Sequence, residues 1–328
     1  NWKLVTTWPK NFPGLGLAPE YFAENVERMS NGRLKIKVFG AGQLVPAFEV
    51  FDAVSQGTAE MGHGAAYYWQ GKIPASALFT AVPFGLNAQE MNAWLHYGGG
   101  LELWRELYAP FNLVPYAGGN TGVQMAGWFN REINSMADIQ GLKMRIPGLG
   151  GEVFTRAGGM SVQRSGGEIY TSMQTGEIDA AEWVGPYNDL AFGFHQIAKY
   201  YYYPGWQEPG PTLELIINKQ ALESLPEDLQ AIVESAARAA NQNMLDEYTA
   251  RNNAALIELV ETHGVQVKKL PDDVLAEFQR ISTIVVDEMA AEDPLAQRIT
   301  DSMRAFAKQS KAYHGISEEA YYKARGKE

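Results

Sequence analysis

Trp2, Leu4 and Thr6 alternate with more polar neighbours, a period of two that predicts a first strand. Tyr21, Phe22, Val26 and Met29 then recur at helical spacing. That pattern stops at Asn31-Gly32, where glycine can take the left-handed backbone that closes helices. Leu34, Ile36 and Val38 alternate with Arg33, Lys35 and Lys37, a strand with one buried face. The chain therefore opens β-α-β. Two later stretches echo one another. A helical pattern over residues 48–56 ends at Gly57 and leads into the strand-like Ala59-Glu60-Met61. A second pattern over residues 169–175 ends at Gly176 and leads into Ile178-Asp179-Ala180-Ala181-Glu182. One helix-glycine-strand unit in each half is the build expected of two similar αβ lobes.

From Ser224 the character changes. Ser224-Leu225-Pro226-Glu227 reads as a capping box with proline in the first turn, and a helical pattern then runs to His263-Gly264. A helix of that length can brace both lobes. Pro271-Asp272-Asp273 starts another helix, Asp293-Pro294 interrupts it, and residues 313–328 mix aromatics with charges, as a frayed end or an arm that packs on a partner subunit does.

The 328 residues hold about two domains by the usual size rule, and the net charge of −11 argues against nucleic acid or an anionic membrane as partner. Cysteine is absent, which removes disulfides, zinc-thiolate sites and thiol nucleophiles, and the 5 histidines show no metal-ligand spacing. No apolar run is long enough to span a bilayer. A start at Asn1 is compatible with a processed secretory protein.

Against that background a few residues stand out. Arg145 ends the short alternating segment Gly141-Leu142-Lys143-Met144-Arg145 and precedes Ile146-Pro147-Gly148, a sharp loop at the strand edge where open αβ sheets bind ligands. Its planar, permanently charged fork suits a carboxylate. Glu182 and Trp183 follow the small pair Ala180-Ala181 and precede Gly185-Pro186. A buried carboxylate there needs an arginine, a cation or hydrogen-bond donors, and the tryptophan can wall a small pocket. Four consecutive tyrosines, residues 200–203, must put two rings on each face of a strand, and Glu208 lies in the Pro/Gly-rich turn beyond them. Gln124 leaves the glycine-rich Gly118-Gly119-Asn120-Thr121-Gly122-Val123, which is not a P-loop because no Gly-Lys-Ser/Thr follows. Paired glutamates admit a glycoside hydrolase, but no serine-triad order or nucleophile elbow is present, so the residues favour a binding protein.

These segments also carry a resemblance. Ala41-Gly42-Gln43-Leu44-Val45-Pro46, Ala81-Val82-Pro83-Phe84, Gly118 through Met125, Gly127-Trp128-Phe129, Arg131-Glu132-Ile133-Asn134, Gly141 through Arg145, Glu182-Trp183-Val184-Gly185-Pro186-Tyr187 and Tyr200 through Trp206 with Glu208 resemble the extracytoplasmic solute receptors of tripartite ATP-independent periplasmic (TRAP) transporters, the DctP family. The likeness runs to about residue 305 and is greatest to the branch that takes 2-oxo acids and related monocarboxylates. It implies an α/β fold of two lobes with a ligand cleft, crossing strands and a long bracing helix. The expected division is residues 1–122 with 211–250, residues 123–210 with 251–300, and a helical tail over residues 301–328.

The resemblance further implies that Arg145 pairs with the substrate carboxylate. Gln124, Glu182, the Trp183 carbonyl and Glu208 would supply oxygen ligands to a bound Na⁺ or Ca²⁺, with Gln124, Trp183, Glu208, Tyr67 and Tyr68 bordering the substrate. One arginine, two glutamates and a monocarboxylate leave two net negative charges, which sodium reduces to one and calcium cancels. The expected partner is a membrane permease, with a homodimer as a further expectation. The expected location is the periplasm, reached with a signal peptide that is not in this chain. A periplasmic carbohydrate-binding protein is the alternative, favoured by 16 tyrosines and 8 tryptophans. The run Ile146-Pro147-Gly148-Leu149-Gly150-Gly151 departs from the pattern of relatives and leaves substrate size open.

Overall fold

A computed structural model describes residues 1–326, so Lys327 and Glu328 of the tail lie outside it. The strands sort into two sheets joined by crossing segments. β1 (Trp2–Thr6), β2 (Ile36–Phe39), β3 (Met61–Gly64) and β4 (Leu113–Asn120) belong to the first sheet. β5 (Gly127–Phe129), β6 (Lys143–Arg145), β7 (Met160–Val162), β8 (Ala180–Ala181) and β9 (Tyr200–Tyr203) belong to the second. β10 (Thr212–Asn218) returns to the first sheet and β11 (Gln266–Lys269) to the second. The orders are β2-β1-β3-β10-β4 and β11-β9-β5-β8-β6-β7. In the first sheet β1 pairs parallel with β2 and β3, and β10 pairs antiparallel with β3 and β4. Each sheet with its flanking helices is one lobe of a two-lobe α/β fold.

Both echoed units form, with strands that differ from the expected bounds: β3 begins only at Met61 and β8 is confined to Ala180–Ala181. Gly57 and Gly176 close their helices with φ of +79° and +75°, and β3 and β8 follow in different lobes. The four tyrosines form β9 between β5 and β11, with Tyr201 and Tyr202 buried and Tyr203 exposed at the end.

The long helix is Glu227–Glu261, 35 residues. Its first half buries Leu229, Val233, Ala236 and Ala240 in the first lobe with Leu4, Phe22 and Leu215, while its second half packs against the helix Pro186–Phe192 of the second lobe. The expected capping box does not form. Ser224 closes the preceding helix Lys219–Glu223 instead, donating to the Ala221 carbonyl at 2.6 Å, and Pro226 takes the N-cap position without a side-chain hydrogen bond. The αR backbone that suits a C-terminal residue is not the extended one that an N-cap needs.

Asp293 caps Pro294–His314, accepting from the amides of Leu295 (2.7 Å) and Ala296 (3.3 Å). This helix packs on Ala88–Tyr97 and Gly100–Tyr108 of the first lobe and leaves Tyr313 exposed in its last turn and Ile316, Tyr321 and Tyr322 exposed beyond it. Among the described residues no helix is long and apolar enough to cross a membrane. One continuous core cluster holds residues of both lobes, among them Trp8 and Trp69 from the first and Trp183 and Phe154 from the second, so the lobes are packed together.

Candidate binding site between the lobes

β6 and β8 run parallel with Arg145 opposite Ala181, so Arg145 and Glu182 leave the second sheet at the same carboxyl edge. Small residues let this happen. A Cβ on Gly127 would lie 2.7 Å from the Ala181 carbonyl oxygen. From the first lobe, the turn Ala66–Trp69 after β3 brings in Tyr67 and Tyr68. Gln124 and Glu208 lie on the two crossing segments, residues 121–126 and 204–211, which are bonded through Gln124 N–H to the Glu208 carbonyl at 3.1 Å. Gly205 is required at that crossing, because a Cβ there would sit 2.0 Å from the Gln124 carbonyl oxygen. All seven residues singled out in the sequence converge here, and all are buried, Arg145 and Glu182 fully.

Arg145 spends much of its fork on the protein. Nε donates to the Arg164 carbonyl (3.1 Å) and one terminal nitrogen to the Glu182 carbonyl (2.8 Å). The same nitrogen forms an ion pair with Glu182 Oε1, and the other donates to the Tyr68 hydroxyl at 3.3 Å. The guanidinium carbon lies 5.0 Å from the centre of the Trp183 ring, within cation–π range. Burial works against the arginine's charge, but Glu182 together with Tyr68, Tyr67 and Glu208 outweighs it and holds the guanidinium protonated. Burial raises both tyrosines, Tyr68 to about 12, so both remain hydroxyl donors. The requirement for an arginine, a cation or donors at Glu182 is thus met on one oxygen by Arg145 itself.

The other Glu182 oxygen faces a cluster of acceptors. With Gln124 Nε2 donating to Thr121 Oγ1 (3.2 Å), the Gln124 amide oxygen lies 3.2 Å from Glu182 Oε2, 2.9 Å from the Trp183 carbonyl and 3.3 Å from Glu208 Oε2. Turned over, the same amide donates to all three and accepts from Thr121. Oxygens this close need something positive among them: an amide N–H, a proton or a cation. Glu208 shows the strain on this arrangement. Burial and the Glu182 carboxylate push its carboxyl well above the ordinary range, and its Oε1 has no hydrogen-bond partner. Among the described residues no three His, Cys, Asp or Glu side chains gather at metal-binding spacing. The available donors are two carboxylates, a carbonyl and an amide oxygen, a set that fits a hard cation such as sodium or calcium and not zinc.

Beside the cluster lies a small, nearly filled cavity of about 10 Å³. Tyr67, Tyr68, Gln124, Trp183 and Glu208 line it together with Trp8, Leu15, Thr121, Val184, Pro211 and Leu213. That is far below the roughly 300–1,000 Å³ of ordinary ligand pockets, so the walls must move apart to admit a ligand, and away from Thr121 the added wall is apolar. The last six were not singled out from the sequence. Trp8 had a usable signal, since it follows β1 at the carboxyl edge of the first sheet, the rule that marked Arg145. It is held by His63, whose Nδ1 accepts from Trp8 Nε1 at 2.8 Å while Nε2 faces the Gly118 carbonyl at 3.0 Å. Burial lowers that imidazole to about 4, so it stays neutral in this role. Leu15 and Leu213 carry no local mark. A larger hollow between residues 82–86 and the helices Asp272–Ala290 and Pro294–His314 gathers no carboxylate, only Arg304 and Lys311 at its rim.

Two α/β lobes closed over a buried, charged pocket, with crossing segments supplying part of its wall, define a solute receptor of the periplasmic-binding-protein kind. The model of the bacterial extracellular solute-binding protein family 7, DctP, matches residues 4–293, and the chain belongs to that family. It is a receptor and not an enzyme. It is 45% identical over 320 residues to the monocarboxylate 2-oxoacid-binding periplasmic protein of Nostoc sp., covering 98% of this chain and 87% of that one. The TRAP periplasmic solute-binding protein of Pseudoalteromonas atlantica, solved with bound sodium and pyruvate, is similar at 41% identity, a TM-score of 0.96 and 98% of both chains. The TRAP periplasmic solute-binding protein of Colwellia psychrerythraea, solved with bound calcium and pyruvate, shows 42% identity, a TM-score of 0.96 and the same coverage. A TRAP solute-binding protein of Rhodobacter sphaeroides, an apo open structure, is 26% identical over 94% of this chain and 98% of that one, with a TM-score of 0.69.

Proposed function

We propose that this receptor captures a short 2-oxo monocarboxylate such as pyruvate together with a sodium or calcium ion in the periplasm. The observation that carries the reading is the meeting of three acceptor oxygens, from Glu182, the Trp183 carbonyl and Glu208, around the Gln124 amide and beside the Arg145 guanidinium. Arg145 binds the ligand carboxylate with the hydrogen-bonding capacity that Glu182, Arg164 and Tyr68 leave free. Glu182 serves both partners, one oxygen on Arg145 and one in the acceptor cluster. The cation, when bound, supplies the positive charge that lets two carboxylates and an anionic ligand share one buried site. Tyr68 and the Thr121 hydroxyl offer the remaining donors, and Trp8, Leu15, Val184 and Leu213 exclude water from a short apolar tail. That wall has few partners for sugar hydroxyls, which disfavours a carbohydrate ligand.

The lobes assigned from sequence, residues 1–122 with 211–250 and residues 123–210 with 251–300, close as two bodies about the crossing segments. Burial of the site and the lower TM-score against the open apo relative support reading this conformation as the closed one. A ligand closes the lobes only through its greater affinity for the closed state. The closed receptor then docks on a TRAP permease. A homodimer through the exposed residues 313–322 is the further expectation, checked by sedimentation at several concentrations.

The direct experiment is a thermal-shift and calorimetry panel of 2-oxo acids, lactate and sugars, each with sodium, calcium or a chelator. A ligand at 100 times its dissociation constant adds about 2.7 kcal/mol of stability. No stabilisation by any monocarboxylate with either ion would overturn the reading.

A further inference from the structure

Asn188 lies on the helix Pro186–Phe192, fully buried, and does not line the cavity. Its Nδ2 donates to the Pro13 carbonyl, in the loop that follows β1, at 2.8 Å, and its Oδ1 accepts from the Tyr248 hydroxyl on the long helix at 2.6 Å. One amide therefore joins a loop of the first lobe, a helix of the second and the helix that spans both. The neighbouring contacts fit closely. Phe12 stacks on Phe192 with ring centres 4.2 Å apart and planes 25° apart. Gly14 has φ +71°, and a Cβ on it would stand 2.4 Å from the Tyr248 hydroxyl oxygen. The bond to Pro13 therefore runs between the two lobes.

The same helix is tied to the binding site. It begins directly after residues 182–184, and Asp189 accepts from the Val184 N–H (3.2 Å), Trp128 Nε1 (3.0 Å) and the Tyr201 hydroxyl (2.6 Å). The segment that carries Glu182 and the Trp183 carbonyl therefore moves with Asn188 as one piece.

We propose that Asn188 is a positioning residue for capture: it touches no ligand, yet it raises ligand affinity by bonding the site-bearing segment to the first lobe only in the closed state. The inference rests on the receptor reading above. Any contact made in the closed state alone adds to the affinity of every ligand that closes the lobes. Asn188 therefore sets how long a ligand stays and leaves the choice of ligand to the site.

The chain has no cysteine, so Leu44→Cys and Met160→Cys, exposed on opposite lobes, give a spin-label pair without background. Pyruvate with calcium is the probe, followed by stopped-flow kinetics and by the distance between labels. Asn188→Ala and Asn188→Asp are each expected to raise the dissociation rate about tenfold with the association rate unchanged, the size of one lost hydrogen bond expressed in the off-rate. Both should also show a second, longer label distance at ligand levels that close the parent completely. Asp retains the acceptor for Tyr248 and lacks the donor for Pro13, so equal behaviour of the two variants assigns the effect to the bond between lobes. Parental dissociation rates in both variants, with or without a lower melting temperature, would overturn the proposal. If the parent itself takes no pyruvate with either ion, the substrate reading fails separately. The latch is then judged on the ligand-free proteins: a smaller closed fraction in Asn188→Ala supports it, and equal fractions overturn it.

Discussion

Among the described residues the four most deeply buried carboxylates divide into two kinds. Asp189 and Glu214 are each completed by a tryptophan N–H and a tyrosine O–H: Trp128 and Tyr201 for Asp189, Trp69 and Tyr108 for Glu214. One such trio lies in each lobe, and each sits behind a segment that supplies the site. Asp189 holds the amide of Val184, and Glu214 holds Trp69 at the end of the turn that bears Tyr67 and Tyr68. Glu182 and Glu208 are buried as deeply but are not completed. Glu182 has an arginine on one oxygen and, on the other, only Gln207 Nε2 at 3.5 Å beyond the shared cluster, while Glu208 leaves Oε1 without a partner. Both kinds carry the desolvation cost of burial, and only the first meets it with hydrogen-bond donors from the fold. Donors already in place mark a carboxylate that builds structure, and acceptors left facing one another mark a carboxylate that waits for a ligand.

The comparison is most severely tested at its charged centre. Arg145→Ala removes the guanidinium and leaves Glu182 buried without its ion-pair partner. Pyruvate affinity should fall by about 2–5 kcal/mol, the range for truncating a buried charge pair, and calorimetry would read this as loss of measurable binding. Retained affinity would mean that Arg145 belongs with the structural residues.

Glu208→Gln keeps the shape of the site and removes one negative charge. Calcium-dependent pyruvate binding should weaken by about 1.5–3 kcal/mol, the span for a hydrogen-bonded charged group, and sodium-supported binding should weaken less. Titrations in each ion give the two numbers, and equal losses would remove Glu208 from the cation's surroundings.

Glu214 tests the other side of the comparison through pH. Burial raises its carboxyl to about 7 against the opposing bonds from Tyr108 and Trp69. An unfolded glutamate titrates near ~4.3, so between those two values the folded chain holds the extra proton. This group's contribution to stability is therefore fully present below about pH 4 and is lost as pH rises through about 7. Melting of the ligand-free, chelated protein should weaken across that window, and Glu214→Gln should flatten the slope without changing cation dependence.

The smallest effect is expected at Thr121→Val, which removes the hydroxyl that orients the Gln124 amide. Cation affinity should drop by about 0.5–1.5 kcal/mol, the usual net worth of one hydrogen bond, with stability nearly unchanged.

Much of the scaffold was legible from local pattern. The opening β-α-β, the two helix-glycine-strand units and the long C-terminal helix follow from periodicity and from glycines that end helices, all of which depend on neighbours within a few residues. The failed capping box at Ser224 marks the limit of such reading: the motif was present, but a short helix ending at the same residue claimed its side chain. Arg145 and Glu182 were visible as charges at the ends of short apolar strands. Gln124, Glu208, Tyr67 and Tyr68 drew notice through local context and the family resemblance. Trp8, Leu15 and Leu213 did not, because an apolar residue facing a cavity has the same local pattern as one facing the core.

By itself, then, the sequence determined which segments become helices and strands, which charges stand at strand ends, and the family to which the chain belongs. Only the tertiary structure decided that Arg145 pairs with Glu182, that Gln124 and Glu208 meet where the crossing segments touch, and that Asn188 reaches Pro13 from 175 positions away along the chain. The physical reason is range. Backbone preference and periodicity act within one helical turn or one strand, whereas a buried site is assembled by packing between segments far apart in sequence.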